Sequence, residues 1–257
     1  MATPSETLQE PPAARRQRRL RALAIVPAYN EQDCIGTVLE EIRAAEPDLH
    51  VVVVNDASGD GTAAIAARAG TTVLNLPFNV GIGGTVQTGY QYALEHGFEL
   101  AIQVDGDGQH DPREIARLLE PLLEGGADMV VGTRFAAGGG YYRGTRLRRV
   151  GIHIFAAIVS LLVRARVTDT TSGFRAVNRK AIALFAADYP HDYPEVEATV
   201  LAVRHGLRMI EVPVQMRVRE TGSSSITALR SVYYMIKVLL ALFIGLFRRY
   251  PTPLEEP

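Results

Sequence analysis

From Leu23 onward, short runs of β-branched and apolar residues alternate with stretches of helical periodicity, the pattern of βαβ units wound around a mostly parallel sheet. The apolar runs predict strands at 23–27, 50–55, 72–76, 100–105 and 128–132. Helices are expected between them near 33–45, 62–69, 82–96 and 112–123, the last opening on Pro112 with Asp111 as its cap. The first 132 residues therefore read as a nucleotide-binding half of α/β class. A glycine-rich stretch from Ala136 to Thr145, carrying Tyr141 and Tyr142, has no core-forming pattern and is expected to be a mobile loop. Beyond it the pattern predicts a helix at 147–163, an irregular stretch at 168–177, helices from Asn178 and over 195–205, and a strand at 208–214. No internal repeat or linker interrupts this course, so residues 23–225 are expected to form one domain.

The two ends differ from the middle. Residues 1–22 combine Pro and Glu with Arg15, Arg16, Arg18, Arg19 and Arg21, and lack the apolar region of a secretory signal. They are expected to be a disordered basic arm, either solvated or drawn to an anionic membrane at roughly 1 kcal/mol per arginine. In the closing segment, 226–257, the run Val232 to Phe247 is apolar or small except for Lys237 and ends in Arg248-Arg249. It falls short of the ~20 apolar residues that span a bilayer. Thr227, Arg230, Tyr234, Lys237, Ala241 and Gly245 form one polar or small stripe at helical spacing. This is an amphipathic helix suited to the membrane interface, or to packing on the protein or on a small membrane partner.

Composition sets outer limits. With 257 residues, 47% hydrophobic, the chain can bury a large core, which excludes a coiled coil or a disordered tail. Lys and Arg number 27 against 28 Asp and Glu, so no general basic excess points to nucleic acid and any anion site is local. The single cysteine, Cys34, excludes a disulfide framework and is compatible with a reducing compartment.

The sharpest chemical feature is Gln103-Val-Asp-Gly-Asp-Gly-Gln-His-Asp-Pro112, which puts Asp105 and Asp107 at the carboxyl end of a buried strand, where open α/β sheets bind ligands. Two carboxylates so close call for a cation, and Mg²⁺ or Mn²⁺ shared with substrate phosphates is the natural occupant. An EF-hand is excluded, because its sixth and twelfth positions would be His110 and Ala116. Two more polar turns, Pro27-Ala-Tyr-Asn-Glu31 and Asn55-Asp-Ala-Ser-Gly-Asp-Gly-Thr62, end the first two strands and converge on the same edge. No glycine fingerprint for phosphate occurs, so metal and arginine must hold the phosphates. His50, His96, His191 and His205 show no ligand spacing.

These turns, together with Asn79-x-Gly81 and Gly89, Gly132-Thr-Arg-Phe135, Asp169-Thr-Thr-Ser-Gly-Phe-Arg175, Glu211-Val-Pro213 and Arg219-x-x-Gly-x-Ser224, form an ordered set. The set resembles the family-2 glycosyltransferases of GT-A fold, and within them the polyprenyl-phosphate sugar synthases such as the dolichyl-phosphate mannose synthases. The resemblance implies a GT-A, Rossmann-like sheet flanked by helices and an inverting enzyme that takes sugar from a nucleotide-sugar donor at the inner membrane face. It implies that Pro27, Tyr29, Glu31 and Asp56 hold the donor nucleoside, and that Asp105, Gly106, Asp107 and Gln109 form the loop for metal and diphosphate. Metal ligation falls to Asp105, Asp107 and Gln109. Arg134 and Arg149 match the acceptor-phosphate arginines, with Ser172 placed beside them in binding substrate, and Arg219 matches a clamp over the donor phosphate. Asn55 departs from the pattern where many relatives carry a second aspartate, and His153 stands where the synthases carry serine.

The chemistry follows from charge. A sugar leaves a nucleoside diphosphate when the developing negative charge is neutralised, by metal on Asp105 and Asp107 and by Arg219. A phosphate monoester acceptor, with a second pKa of about 6, needs only arginines to position it. A glycan hydroxyl acceptor needs a carboxylate base, for which Glu195, Glu197, Asp169 and Asp192 are the candidates. A non-catalytic binding subunit is the third alternative, and the intact Asp105, Asp107, Gln109 and Arg219 speak against it.

Overall fold

The computed structural model describes residues 21–134, 156–161 and 167–217, together with Lys237 and Leu240. The basic arm up to residue 20, the glycine-rich stretch, Arg149, His153, Arg219 and most of the closing segment lie outside the described residues. The elements run β1 (Ala22–Ala28), α1 (Ile35–Ala45), β2 (His50–Asn55), α2 (Thr62–Arg68), β3 (Thr72–Asn75), α3 (Gly81–Glu95) and β4 (Leu100–Gln103). Then come α4 (Ile115–Leu123), β5 (Met129–Thr133), β6 (Arg175–Asn178), α5 (Arg179–Ala187), α6 (Pro194–Arg204) and β7 (Met209–Pro213).

The strands form one seven-stranded sheet in the order β3-β2-β1-β4-β6-β5-β7. All neighbours pair parallel except β6, which is antiparallel to both β4 and β5. The architecture is thus the expected mostly parallel α/β sheet flanked by helices. Its central strands are apolar on both faces because both faces are covered. Along β1, Ala24, Val26 and Ala28 face one core with the apolar stripes of α1 and α4 (Ile35, Val38, Leu39 and Ile42; Ile115, Leu118, Leu119 and Leu122). Leu23 and Ile25 face the other, with Val86 and Tyr90 of α3, Phe185 of α5 and Leu201 of α6. Helix α3 lies so close to β1 that a Cβ at Gly89 would stand 2.2 Å from Ile25 Cγ2, so only glycine fits there.

Strand β6 corrects the sequence reading, which leaves 168–177 irregular. Only four residues long and opening on a charged Arg175, it carries no visible alternation, yet it is hydrogen-bonded on both sides and Arg175 is 1% exposed. Two helix starts also differ. Residues 112–114 form a single 3-10 turn before α4, and α1 begins at Ile35 after a turn in which Cys34 N–H donates to the Glu31 carbonyl. The Asp111 cap holds as expected, its side chain accepting from Arg113 N–H. Among the described residues, no helix is long and apolar enough to cross a membrane. Lys237 and Leu240 are helical and exposed, and Lys237 Nζ lies 6.0 Å from the centre of the Tyr193 ring, just before α6.

Candidate active site

Strands β1, β2, β4, β5 and β7 all run the same way, so the turns that follow them share one edge, and the segment leading into antiparallel β6 begins at that edge too. A cleft of about 500 Å³ opens there between the ends of β1, β2 and β4 and the N-terminus of α3. The sequence-expected Pro27, Tyr29, Glu31, Asp56, Asp105, Gly106 and Asp107 all line it. Ala28, Ile82 and Thr85 line it as well and were not foreseen; the last two sit on the first turns of α3, whose apolar period gave no hint of a ligand face. Asn79 and Gly81, known from the sequence only as a matching motif, complete the wall.

The turns after β1 and β2 are fastened to each other. Asn30 N–H donates to Ser58 Oγ (3.0 Å) while Gly59 N–H donates to Asn30 Oδ1 (2.9 Å). Gln32 N–H donates to Asp60 Oδ2 (3.2 Å), Gly61 N–H to Gln32 Oε1 (3.0 Å), and Glu31 N–H to Thr62 Oγ1 (2.8 Å). Burial works to raise the Asp60 pKa, but the hydrogen bonds from Thr62 and Gln32 prevail and hold its carboxyl below the usual range. Within the clasped turns Asn30 and Ala57 stand at φ of 54° and 56°, a left-handed conformation that side chains disfavour. Asn55 is drawn into the same structure, its amide donating to Asn75 Oδ1 (2.9 Å) and its Oδ1 accepting from Ser58 N–H (3.3 Å). The buried Asp56 caps α3, accepting from Val80 N–H at 2.7 Å and Gly81 N–H at 3.0 Å.

The turn after β4 is braced from beneath. Asp105 Oδ1 accepts from the Gln103 amide (2.8 Å), and Asp105 N–H donates to His110 Nδ1 (3.0 Å). The buried His110 ring stacks on Phe174, with centroids 4.6 Å apart. The Asp107 carboxylate receives both the backbone N–H and the side-chain amide of Gln109. Among the described residues no three His, Cys, Asp or Glu side chains gather into a metal cage. The donor set instead fits a hard divalent ion completed by substrate phosphates, since Asp105 and Asp107, two carboxylates, line the same open cleft.

The loop's far end is tied by charge. Asp111 accepts from Arg113 Nε at 2.9 Å and from Arg217 Nη2 at 3.2 Å, while Arg217 Nη1 reaches Glu41 at 2.6 Å and Arg217 N–H donates to the Gln109 carbonyl at 2.8 Å. The Arg113 hydrogen bonds hold the Asp111 pKa down at about 2. A depressed carboxyl pKa gives stability that is complete above the ordinary value of 3.8 and is lost as pH falls towards 2. Asp111→Asn is therefore expected to cost about 1–2 kcal/mol near neutrality, after discounting for the exposed Arg113 partner, and progressively less as pH falls through about 2. Urea melts of both proteins across that range check this; a gap that does not close with acid contradicts it.

On the other side of the edge, Arg134 follows β5. Its Nε and Nη2 meet the two oxygens of Asp169 at 2.7 and 2.8 Å, Nη2 also donates to Thr171 Oγ1 at 2.7 Å, and the Asp169 side chain is fully buried. Asp169 is thereby taken up as an ion-pair partner rather than held ready as a base. Ser172 is buried and does not line the cleft. Behind it, Arg175 is buried with Nη2 on the carbonyls of Ser172 (2.6 Å) and Glu195 (3.1 Å), a charged core residue that hydrophobic patterning could not place. Burial raises the Glu195 pKa, opposed by the Arg175 charge and reinforced by Asp105; burial likewise pushes the Tyr189 hydroxyl up to about 12.

The chain resembles proteins of known kind along most of its length. Residues 23–185 match the family described as Glycosyl transferase family 2. Polyprenol monophosphomannose synthase of Mycolicibacterium smegmatis is 31% identical over 251 residues, covering 93% of this chain and 94% of that protein. Undecaprenyl-phosphate mannosyltransferase of Micrococcus luteus is 32% identical, covering 81% and 88%. In fold, the chain is similar to glucosyl-3-phosphoglycerate synthase of Mycobacterium tuberculosis, solved with Mn²⁺, UDP and glucosyl-3-phosphoglycerate, at a TM-score of 0.68 and 20% identity, covering 91% of this chain and 81% of that one. A family match over most of the chain, on a GT-A sheet whose ligand edge carries the paired aspartates, means that this chain belongs to glycosyl transferase family 2 and is a nucleotide-sugar glycosyltransferase.

Proposed function

We propose that the enzyme transfers a hexose, mannose or glucose, from a nucleoside diphosphate sugar to a polyprenyl phosphate at a membrane surface, with inversion. The observation that carries this reading is the placement of a fixed guanidinium, Arg134 on buried Asp169, at the same sheet edge as the Asp105–Asp107 turn. One end of the edge thus suits the donor diphosphate and the other an anionic acceptor. The near full-length likeness to two prenyl-phosphate mannose enzymes supports the same acceptor class.

Each part of the edge has a task. Tyr29, Glu31 and Asp56 line the nucleoside end, and the clasped turns keep that wall from moving as the donor enters. Asp105 and Asp107, with Gln109 beside them, would hold Mg²⁺ or Mn²⁺, which when bound supplies positive charge to the departing diphosphate. Arg134, with Arg149, would orient the acceptor phosphate. That phosphate is largely dianionic at neutral pH, because its second pKa is about 6, so no residue has to remove a proton. Arg219 would close over the donor phosphate.

A glycan hydroxyl acceptor is the second reading, and the raised Glu195 pKa favours it, since a desolvated carboxylate is the better base. One assay separates the two. Radiolabelled nucleotide sugars are offered with Mg²⁺ or Mn²⁺ and polyprenyl phosphate as sole acceptor, and label is followed into the organic phase. The expected result is organic label that disappears with chelator. Donor binding without organic label for any sugar would overturn the lipid-phosphate reading and turn attention to Glu195.

A further inference from the structure

Three motifs distant in the sequence meet in one partly buried knot. Glu211 of β7 pairs in register with Val131 of β5, and its Oε1 accepts from the N–H groups of Thr168 (2.7 Å) and Asp169 (3.1 Å). Its Oε2 accepts from the Thr168 hydroxyl at 2.8 Å, and that hydroxyl also meets Thr133 Oγ1 at 2.9 Å. Residues 168 and 169 belong to no strand, so the Glu211 carboxylate supplies the acceptors that a sheet neighbour would otherwise provide. Asp169, so anchored, grips Arg134 along its Nε–Nη2 edge.

We infer that Glu211 is a positioning residue for the acceptor: through Asp169 it sets the direction of the Arg134 guanidinium at the phosphate-binding end of the site. The inference rests on the reading of Arg134 as an acceptor-phosphate group. Asp169 offsets the charge of Arg134 and takes its Nε–Nη2 edge, so what this arginine brings to a phosphate is chiefly the fixed direction of its guanidinium. A loosened Asp169 lets the fork turn away. The donor cleft, built on β1, β2, β4 and α3, shares none of these hydrogen bonds.

The test is steady-state kinetics on the full chain, varying nucleotide sugar and a short-chain polyprenyl phosphate in detergent separately. Glu211→Ala is expected to raise the acceptor KM about tenfold and Glu211→Gln, which keeps the Oε1 acceptor, about threefold, with the donor KM unchanged in both. Arg134→Lys, which retains the charge on Asp169 but lacks the fork, serves as reference and raises the acceptor KM as well. If Arg134→Lys raises it and neither Glu211 variant does, or if they raise both KM values alike, the role of Glu211 is overturned and that of Arg134 stands. If Arg134→Lys leaves the acceptor KM unchanged, the reading of Arg134 falls and the inference with it. Should the alanine variant not fold, the glutamine variant carries the same test.

Discussion

Asp107→Asn is expected to lower turnover by at least about 10²–10³-fold, or ~3–4 kcal/mol of barrier, while leaving the protein folded. The side chain lies in an open turn, and its recorded partners are the backbone and side-chain N–H groups of Gln109, so an asparagine carbonyl can keep the backbone bond. What the substitution removes is the charge of one of only two carboxylates on that turn that line the cleft, the pair proposed above to hold the metal beside the donor diphosphate. The wall around Tyr29 and Asp56, proposed above to take the nucleoside, is untouched, so the variant should still bind a nucleoside monophosphate, which does not need the metal. Single-turnover rates with saturating donor, read beside thermal melting and nucleoside monophosphate titration, separate these effects. A variant within tenfold of the parent rate would remove Asp107 from the catalytic group.

That Asp107 could be singled out from sequence has a topological cause. In a parallel sheet every turn that follows a strand points to the same edge, so three polar turns after three apolar runs converge without any knowledge of their contacts. The same logic located the turns 27–31 and 55–62, and the family resemblance picked out Pro27, Tyr29, Glu31, Asp56, Asp105 and Gly106 within the three turns, all of which line the cleft. It could not reach Ile82 or Thr85, which enter from the helical period of α3 and look like ordinary helix positions. Nor could it show that Asn55 ties β2 to Asn75 of β3, because a side-chain bond across 20 positions leaves no local pattern.

The fold follows the same division. Strands β1 to β5 and β7 and the amphipathic α1 and α4 were legible from period, and the Asp111 cap from its residue type. Strand β6 was not, since its four residues begin with a buried arginine and its pairing partners lie some 45 to 75 positions away on β5 and β4. The clasp of Asn30 and Gln32 onto residues 58–61 and the ties of Glu211 to 168–169 are likewise long-range. Such contacts fix geometry at the site, and polar residues that make them look in sequence like any solvated turn.

Arg134→Ala should prove the most destabilising single change at this edge, by about 3–5 kcal/mol, because it leaves a buried carboxylate without its counter-charge. Asp169 is fully buried, and apart from Arg134 its recorded donors are Thr171 N–H at 3.2 Å and the Thr171 hydroxyl at 3.1 Å. Neutral hydrogen bonds do not replace a bidentate guanidinium at 2.7 and 2.8 Å. If charge is the cause, a second substitution that removes it should repair the first: Arg134→Ala with Asp169→Asn should recover most of the loss, although Asp169→Asn alone, which takes the counter-charge from the arginine, is itself destabilising. Acceptor use should not recover with stability, because the double variant lacks the Arg134 guanidinium that the proposed acceptor site uses beside Arg149. Urea unfolding of the four proteins in the cycle gives the coupling energy, expected to exceed about 2 kcal/mol for a pair in direct contact within one network. A coupling near zero, or an Arg134→Ala protein as stable as its parent, would mean that Asp169 is satisfied without Arg134 and that the guanidinium is held at the edge by something other than this ion pair.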